Sequence, residues 1–201
     1  MLRVAAVASI IADSYKKDLD RETLITVCLL HDIGSIIKFD LKTTYEINSN
    51  AFKDRSLEYW EKVKEDYIKK YGPDEFEANL KILRGLGTSR RVYEISEIFE
   101  FSDSKSIYES KNLERIIAKY ADLRVTPYGV GSLEDRMKDV EKRYVIQRQK
   151  WTKEELDELS SYWYRAEGEI FASCKIRPEE ITNENVSPML ESLRNFEIAT
   201  K

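Results

Sequence analysis

The sequence predicts an all-α helical bundle on three grounds. Apolar residues recur at helical rather than strand spacing along most of the 201 residues. The seven glycines and four prolines fall at the joints of that pattern. Ser, Thr, Asp or Asn precedes many of the periodic segments, where a side-chain oxygen can accept from the unpaired amides of a first helical turn.

Residues 2–15 carry Val4, Val7, Ala8 and Ile11 at i, i+3, i+4 and i+7, a narrow stripe for a partner helix. Asp18 or Asp20 can cap a second helix over 21–37, which is almost wholly apolar from Leu24 to Leu30 and so belongs at the centre of the bundle. Residues 40–53 read as a loop, polar at Asn48, Ser49 and Asn50 and longer than most bundle connections. A helix over 55–71 ends at Gly72 and Pro73, and Asp74 caps a shorter one that stops near Gly85 or Gly87. Thr88 or Ser89 starts another, reaching Phe101, and a polar break follows at 102–106. Over 112–125, Leu113, Ile116, Ile117, Tyr120 and Ala121 share a buried side. Pro127 to Gly131 is the clearest turn, after which Ser132 and Asp135 form a capping-box analogue for a helix to 149. Thr152 and Glu155 do the same for a long helix to 175. Pro178 breaks the chain, and 183–196 forms a last element in which Pro188 sits in a first turn or divides the segment.

Apolar residues make up 42% and charged residues 35%, a globular balance with solvated outer faces. The length suits one sizeable core with or without a helical extension. With 33 basic and 37 acidic side chains the net charge is −4, so no overall field draws a nucleic-acid backbone or an anionic membrane. The longest apolar stretches are short and interrupted, which argues against a membrane span or signal peptide. The two cysteines, Cys28 and Cys174, lie in helical segments and are expected reduced and partly buried, which points to the cytoplasm.

The single histidine, His31, stands directly before Asp32 in an apolar run. Burying both is costly unless the carboxylate is paired or coordinates a cation. Imidazole nitrogen and carboxylate oxygen suit Mn, Fe, Mg or Zn, and a third ligand from another helix would fix the ion between packed elements. The plainer alternative is that His31 meets a neighbouring backbone while Asp32 pairs with an arginine.

The run Leu29, Leu30, His31, Asp32, Ile33, Gly34 resembles the HD-domain superfamily of metal-dependent phosphohydrolases, and Ala121, Asp122, Leu123, Arg124 is similar to its later aspartate motif. Leu2, Arg3, Val4, Ala5 looks like the start of the first HD helix, and the segments at Tyr71 to Glu75 and Tyr128 to Val130 resemble its connections, so the likeness covers about 2–144. It implies an HD-domain-like helical core over 1–150, with 151–201 as a helical extension packed on the core or in the subunit interface of a homo-oligomer. It also implies a divalent metal held by His31, Asp32 and Asp122, with Asp32 as ligand or base. The substrate class it implies is a nucleotide or another phosphate ester. No membrane is expected as partner and no nucleic-acid binding is clear, though the net charge leaves room for a local basic patch.

The pattern departs from the family in three places. A histidine usually precedes the segment like Leu2 to Ala5, so one family ligand is expected at or before Met1. Phe76 stands where some members carry a further histidine. Ser35 replaces the lysine that often follows the motif, which leaves Lys38 and Arg124 to meet a phosphate; Arg124 can do so in a bidentate way or can brace Asp122. For Asp122 the plainer reading is an ion pair with Lys119 or Arg124. The rival function is a nucleotide-binding or regulatory module on the same scaffold.

Overall fold

Stop signals in the sequence set where some of the helices end, as Gly72 does after Tyr71 and Gly87 after Leu86. In a computed structural model, which describes residues 1–47, 52 and 55–200, the helices are α1 (Leu2–Ser14), α2 (Arg21–Leu30), α3 (Leu41–Ile47), α4 (Leu57–Tyr71), α5 (Glu75–Leu86), α6 (Arg90–Ser96), α7 (Ser104–Glu109), α8 (Leu113–Leu123), α9 (Leu133–Val140), α10 (Lys153–Ala172), α11 (Asn183–Val186) and α12 (Met189–Arg194). The one sheet among the described residues is a two-stranded antiparallel hairpin, β1 (Val125–Thr126) and β2 (Gly129–Val130), which pairs Val125 with Val130 across the predicted turn. The protein is all-α, as expected.

The chain divides into two compact units. The first joins Met1–Leu30 to Ser89–Ala199. Its core is built where α1, α2 and α8 meet, and α7, α10 and α12 pack against members of that trio. Helix α1 buries Ala5, Ala6, Val7 and Ala8 completely, more of its circumference than the expected stripe, because small side chains let neighbours approach from several sides. Its buried Ser9 hydroxyl donates back to the Ala5 carbonyl at 2.8 Å. Asp20 caps α2 through the Thr23 amide at 3.1 Å. Trp163 of α10 is fully buried, and its indole N–H donates to Ser104 Oγ at 2.6 Å.

The second unit comprises His31–Thr88, with Thr88 bridged to Thr200. Helix α4 contacts α3 and α5, and a 3₁₀ turn at Ser35–Ile37 contacts α4 and α5. Gly87 ends α5 in the left-handed region at φ 68°, as the glycine there predicts.

Several boundaries differ from expectation. Helix α2 stops at Leu30, not near 37, because the chain tightens into i to i+3 bonding at Ser35 N to Asp32 O (3.1 Å) and Ile37 N to Gly34 O (3.2 Å). Residues 41–47 are helical rather than loop, capped by Asp40, which accepts from the Thr43 amide at 3.1 Å; Asn48, Ser49, Asn50 and Lys53 lie outside the described residues. The polar break at 102–106 instead opens α7, since the serine hydroxyls bond locally: Ser104 Oγ donates to Phe101 O at 2.5 Å. The helix from Ser132 is α-helical only to Val140 and continues as a π-helical turn at Glu141–Gln147. Pro188 divides the last element, standing as N-cap of α12. Both Cys28 and Cys174 are buried thiols.

Candidate functional site

In the second unit, His31 and Asp32 open the turn that follows α2 rather than riding on the helix. The turn is held against α5 by a close backbone approach. The Gly34 amide donates to Asn79 Oδ1 at 3.3 Å, and a Cβ at Gly34 would stand 3.1 Å from Asn79 N and 3.2 Å from Glu75 O. The His31 side chain is 5% exposed and the Asp32 side chain 46%, with Nε2 and Oδ2 3.7 Å apart, so the imidazole is enclosed while the carboxylate keeps access to solvent.

Lys38 reaches back over this turn. Its ammonium lies 2.5 Å from Glu75 Oε1 and 3.9 Å from Asp32 Oδ1, and Ser35 Oγ donates to the same Glu75 oxygen at 2.7 Å. Asp32, Lys38 and Glu75 therefore form one charged cluster at the start of α5. Glu75 was not singled out from the sequence. Its signal was its place in the first turn of α5, beside the Phe76 position that drew attention for a missing histidine.

In the first unit, Asp122 lies in the last turn of α8 and receives the Lys119 ammonium at 2.8 Å. Lys119 is buried, with its Nζ also 5.1 Å from the centre of the Phe99 ring. The Cys28 thiol on α2 is pushed well above its ordinary range, first by burial and then by the Asp122 charge, while the Met1 amino group pulls it down. Met1, Cys28 and Asp122 lie on or beside α1, α2 and α8, the helices that pack together in the core of the first unit. The pair of Asp122 with Lys119 is the plainer partner that the sequence offered.

Arg124 caps α8 and is 3% exposed. Its Nε donates to Gly131 O at 2.5 Å, Nη1 to Tyr120 Oη at 2.7 Å, and Nη2 to Pro178 O at 3.1 Å and Ile181 O at 3.4 Å. These acceptors engage most of the guanidinium's donors. Tyr120 in turn donates to Glu167 Oε2 at 2.5 Å, and its hydroxyl is raised in pKa mainly by burial. Arg124 ties the end of α8 to the hairpin and to the chain after Pro178. Arg91, also in the first unit, is engaged with Glu114 at 3.0 Å.

Among the described residues no group of three His, Cys, Asp or Glu side chains stands close enough together to hold a metal ion. The donor types nevertheless fit a divalent cation, imidazole nitrogen with carboxylate oxygen; in this structure Asp32 and Asp122 stand beside Lys38 and Lys119. A family model described as HD domain matches residues 1–145. No curated protein and no solved structure matches the chain.

Proposed function

The chain belongs to the HD-domain family, the superfamily of metal-dependent phosphohydrolases, and from that premise we propose that it hydrolyses a phosphate ester of the nucleotide class in the cytoplasm, with His31, Asp32 and Asp122 as metal ligands. The observation that carries the reading is the HD-domain match. The matched residues 1–145 take in both the His31–Asp32 run and Asp122.

A divalent cation bound there would lower the pKa of a coordinated water and polarise a phosphoryl oxygen. Asp32, open to solvent, either shares in the coordination or takes a proton from the attacking water. Lys38 meets the substrate phosphate, and Glu75 with Ser35 holds its ammonium in reach. Arg124 acts at one remove, bracing the end of α8 that carries Asp122.

The test is a chelator-stripped preparation assayed with Mn, Fe, Mg and Zn against nucleoside mono-, di- and triphosphates, with bound metal counted by mass spectrometry. Product release should require metal, and Asp122→Asn and His31→Gln should each lose at least tenfold in metal affinity. Turnover that survives chelation, or full metal retention in Asp122→Asn, ends the reading. A second reading, a module that holds a nucleotide without turning it over, is favoured by one observation: Lys38 and Lys119 already neutralise the two carboxylates. Nucleotide binding that persists after chelation, with no product, selects it.

A further inference from the structure

Between Arg136 and Lys153 seven side chains are basic and two acidic, in a chain whose formal charge is −4. Four of the seven find carboxylates: Arg136 and Arg143 both reach Asp139, Lys138 meets Glu134 at 2.6 Å, and Lys153 lies 3.1 Å from Glu141 and 3.0 Å from Asp157. The other three, Lys142, Arg148 and Lys150, are exposed and have no carboxylate partner among the described residues. Even the paired arginines are under-supplied with acceptors. Arg136 and Arg143 each keep a buried Nε–H that finds no hydrogen-bond partner among the described residues.

These cations are arranged on rings. Tyr144 and Trp151 lie 5.1 Å apart between centroids, and Trp151 continues to Phe101 at 5.4 Å. The Arg148 guanidinium stands 5.1 Å from the Tyr144 centroid, and the Lys150 ammonium 5.0 Å from that of Trp151. The backbone is bent to make this possible. The π-helical turn closes with Arg148 N donating to Arg143 O at 3.1 Å, Gln149 adopts a positive φ of 49°, and the returning Lys150 amide donates to Tyr144 O at 2.8 Å. A non-glycine residue at positive φ and a π-helical turn are both strained choices that cluster at functional segments. Here they bring Lys150 and Trp151 back onto Tyr144.

We infer that this face binds single-stranded nucleic acid, its cations meeting phosphates and its stacked cation–ring pairs receiving bases. A guanidinium lying on a ring offers its outer face for a base to stack on, and such stacking tolerates any sequence. A duplex groove reader fits less well, since the ring-borne cations Arg148 and Lys150 lie past the helical end rather than along a helix face. A membrane anchor also fits less well. It needs a broad apolar face, whereas Ile146, 67% exposed, is the one large apolar side chain in the segment standing out to solvent. The net charge of −4 conceals this local excess, the kind of basic patch that the overall balance left open.

The experiment is fluorescence anisotropy of the full chain with labelled oligo(dT) and oligo(U) across a salt series, alongside co-sedimentation with vesicles of mixed phosphatidylserine and phosphatidylcholine. Wild type should bind one or both strands, and comparison of the two identifies which. The exposed triple variant Lys142→Gln, Arg148→Gln, Lys150→Gln should bind at least tenfold more weakly, with the log–log salt slope flatter by about 2, the value for three lost phosphate contacts at ~0.7 each. Ile146→Ser should bind as wild type does, and circular dichroism should be unchanged in both variants. The inference is overturned if neither strand binds at low salt, or if the triple variant binds equally well. It is also overturned if the oligonucleotides are ignored while vesicles bind through Ile146.

Discussion

Two glycines show how differently a methyl group is received in the second unit. At Gly34 a Cβ would press on the backbone of Asn79 and Glu75, which has no flexible end to give way, so Gly34→Ala should destabilise the protein by about 1–3 kcal/mol in urea titration. At Gly85, inside α5, a Cβ meets nothing within 4 Å, and Gly85→Ala should stabilise by about 0.5–1 kcal/mol. A loss at both positions would show that the approach of the turn to α5 is not what Gly34 serves. Arg124 makes a related point. Lysine there keeps the charge but cannot serve acceptors on Gly131, Tyr120, Pro178 and Ile181 at once, so Arg124→Lys should cost about 2–3 kcal/mol of stability on thermal melting. A variant with unchanged stability but slowed turnover would return Arg124 to the substrate. Of the candidate site residues, His31, Asp32 and Asp122 could be named from the sequence because the single histidine and the two aspartates stand in recognisable runs. Glu75 was not, because its part depends on where the N-terminus of α5 meets the turn after α2, and local pattern carries no such information.

The caps were the most readable feature of the elements, because they are local chemistry. Ser132 and Asp135 form the box expected at the start of α9: the Asp135 amide donates to Ser132 Oγ at 3.0 Å, and the Ser132 amide and hydroxyl donate back to Oδ2 at 3.2 and 2.7 Å. Those bonds, the hydroxyl's first, hold the Asp135 carboxyl below its ordinary value of 3.8. A carboxyl lowered on folding contributes stability above its ordinary value and loses it as pH falls through the folded one. The melting-temperature gap between wild type and Asp135→Ala should therefore be widest near neutrality and narrow on acidification below 3.8. A gap that widens with acid would contradict it. Helix ends without such side-chain signals were harder to read. The stop of α2 at Leu30 and the passage from α9 into a π-helical turn follow from tertiary contacts and strain, which override an apolar pattern that by itself would have continued.

For the molecule as a whole, burial is concentrated in the first unit. Helices α1, α2 and α8 carry most of its wholly buried side chains, whereas α4 in the second unit has no fully buried residue. Amide hydrogen exchange should therefore be slowest in α1, α2 and α8 and markedly faster in α4; uniform protection would argue that opening is global. Periodicity told which face of each helix was apolar but not which helices share a core. Trp163, Ile170 and Leu193, far along the chain, pack into the same cluster as Val7 and Ile25.

The first unit is also discontinuous, because α1 and α2 are made long before α8 and the chain between them runs through the whole second unit. During synthesis the two greasy N-terminal helices must wait, with their surfaces wet, until the residues beyond Leu113 have left the ribosome. The delay matters more to the rate than to the final balance, since doubling the length of a closing loop costs only ~0.6 kcal/mol. Lengthening the intervening segment at a surface turn should leave the native state nearly as stable as before, while enlarging the share of newly made chains that a holding chaperone must shelter.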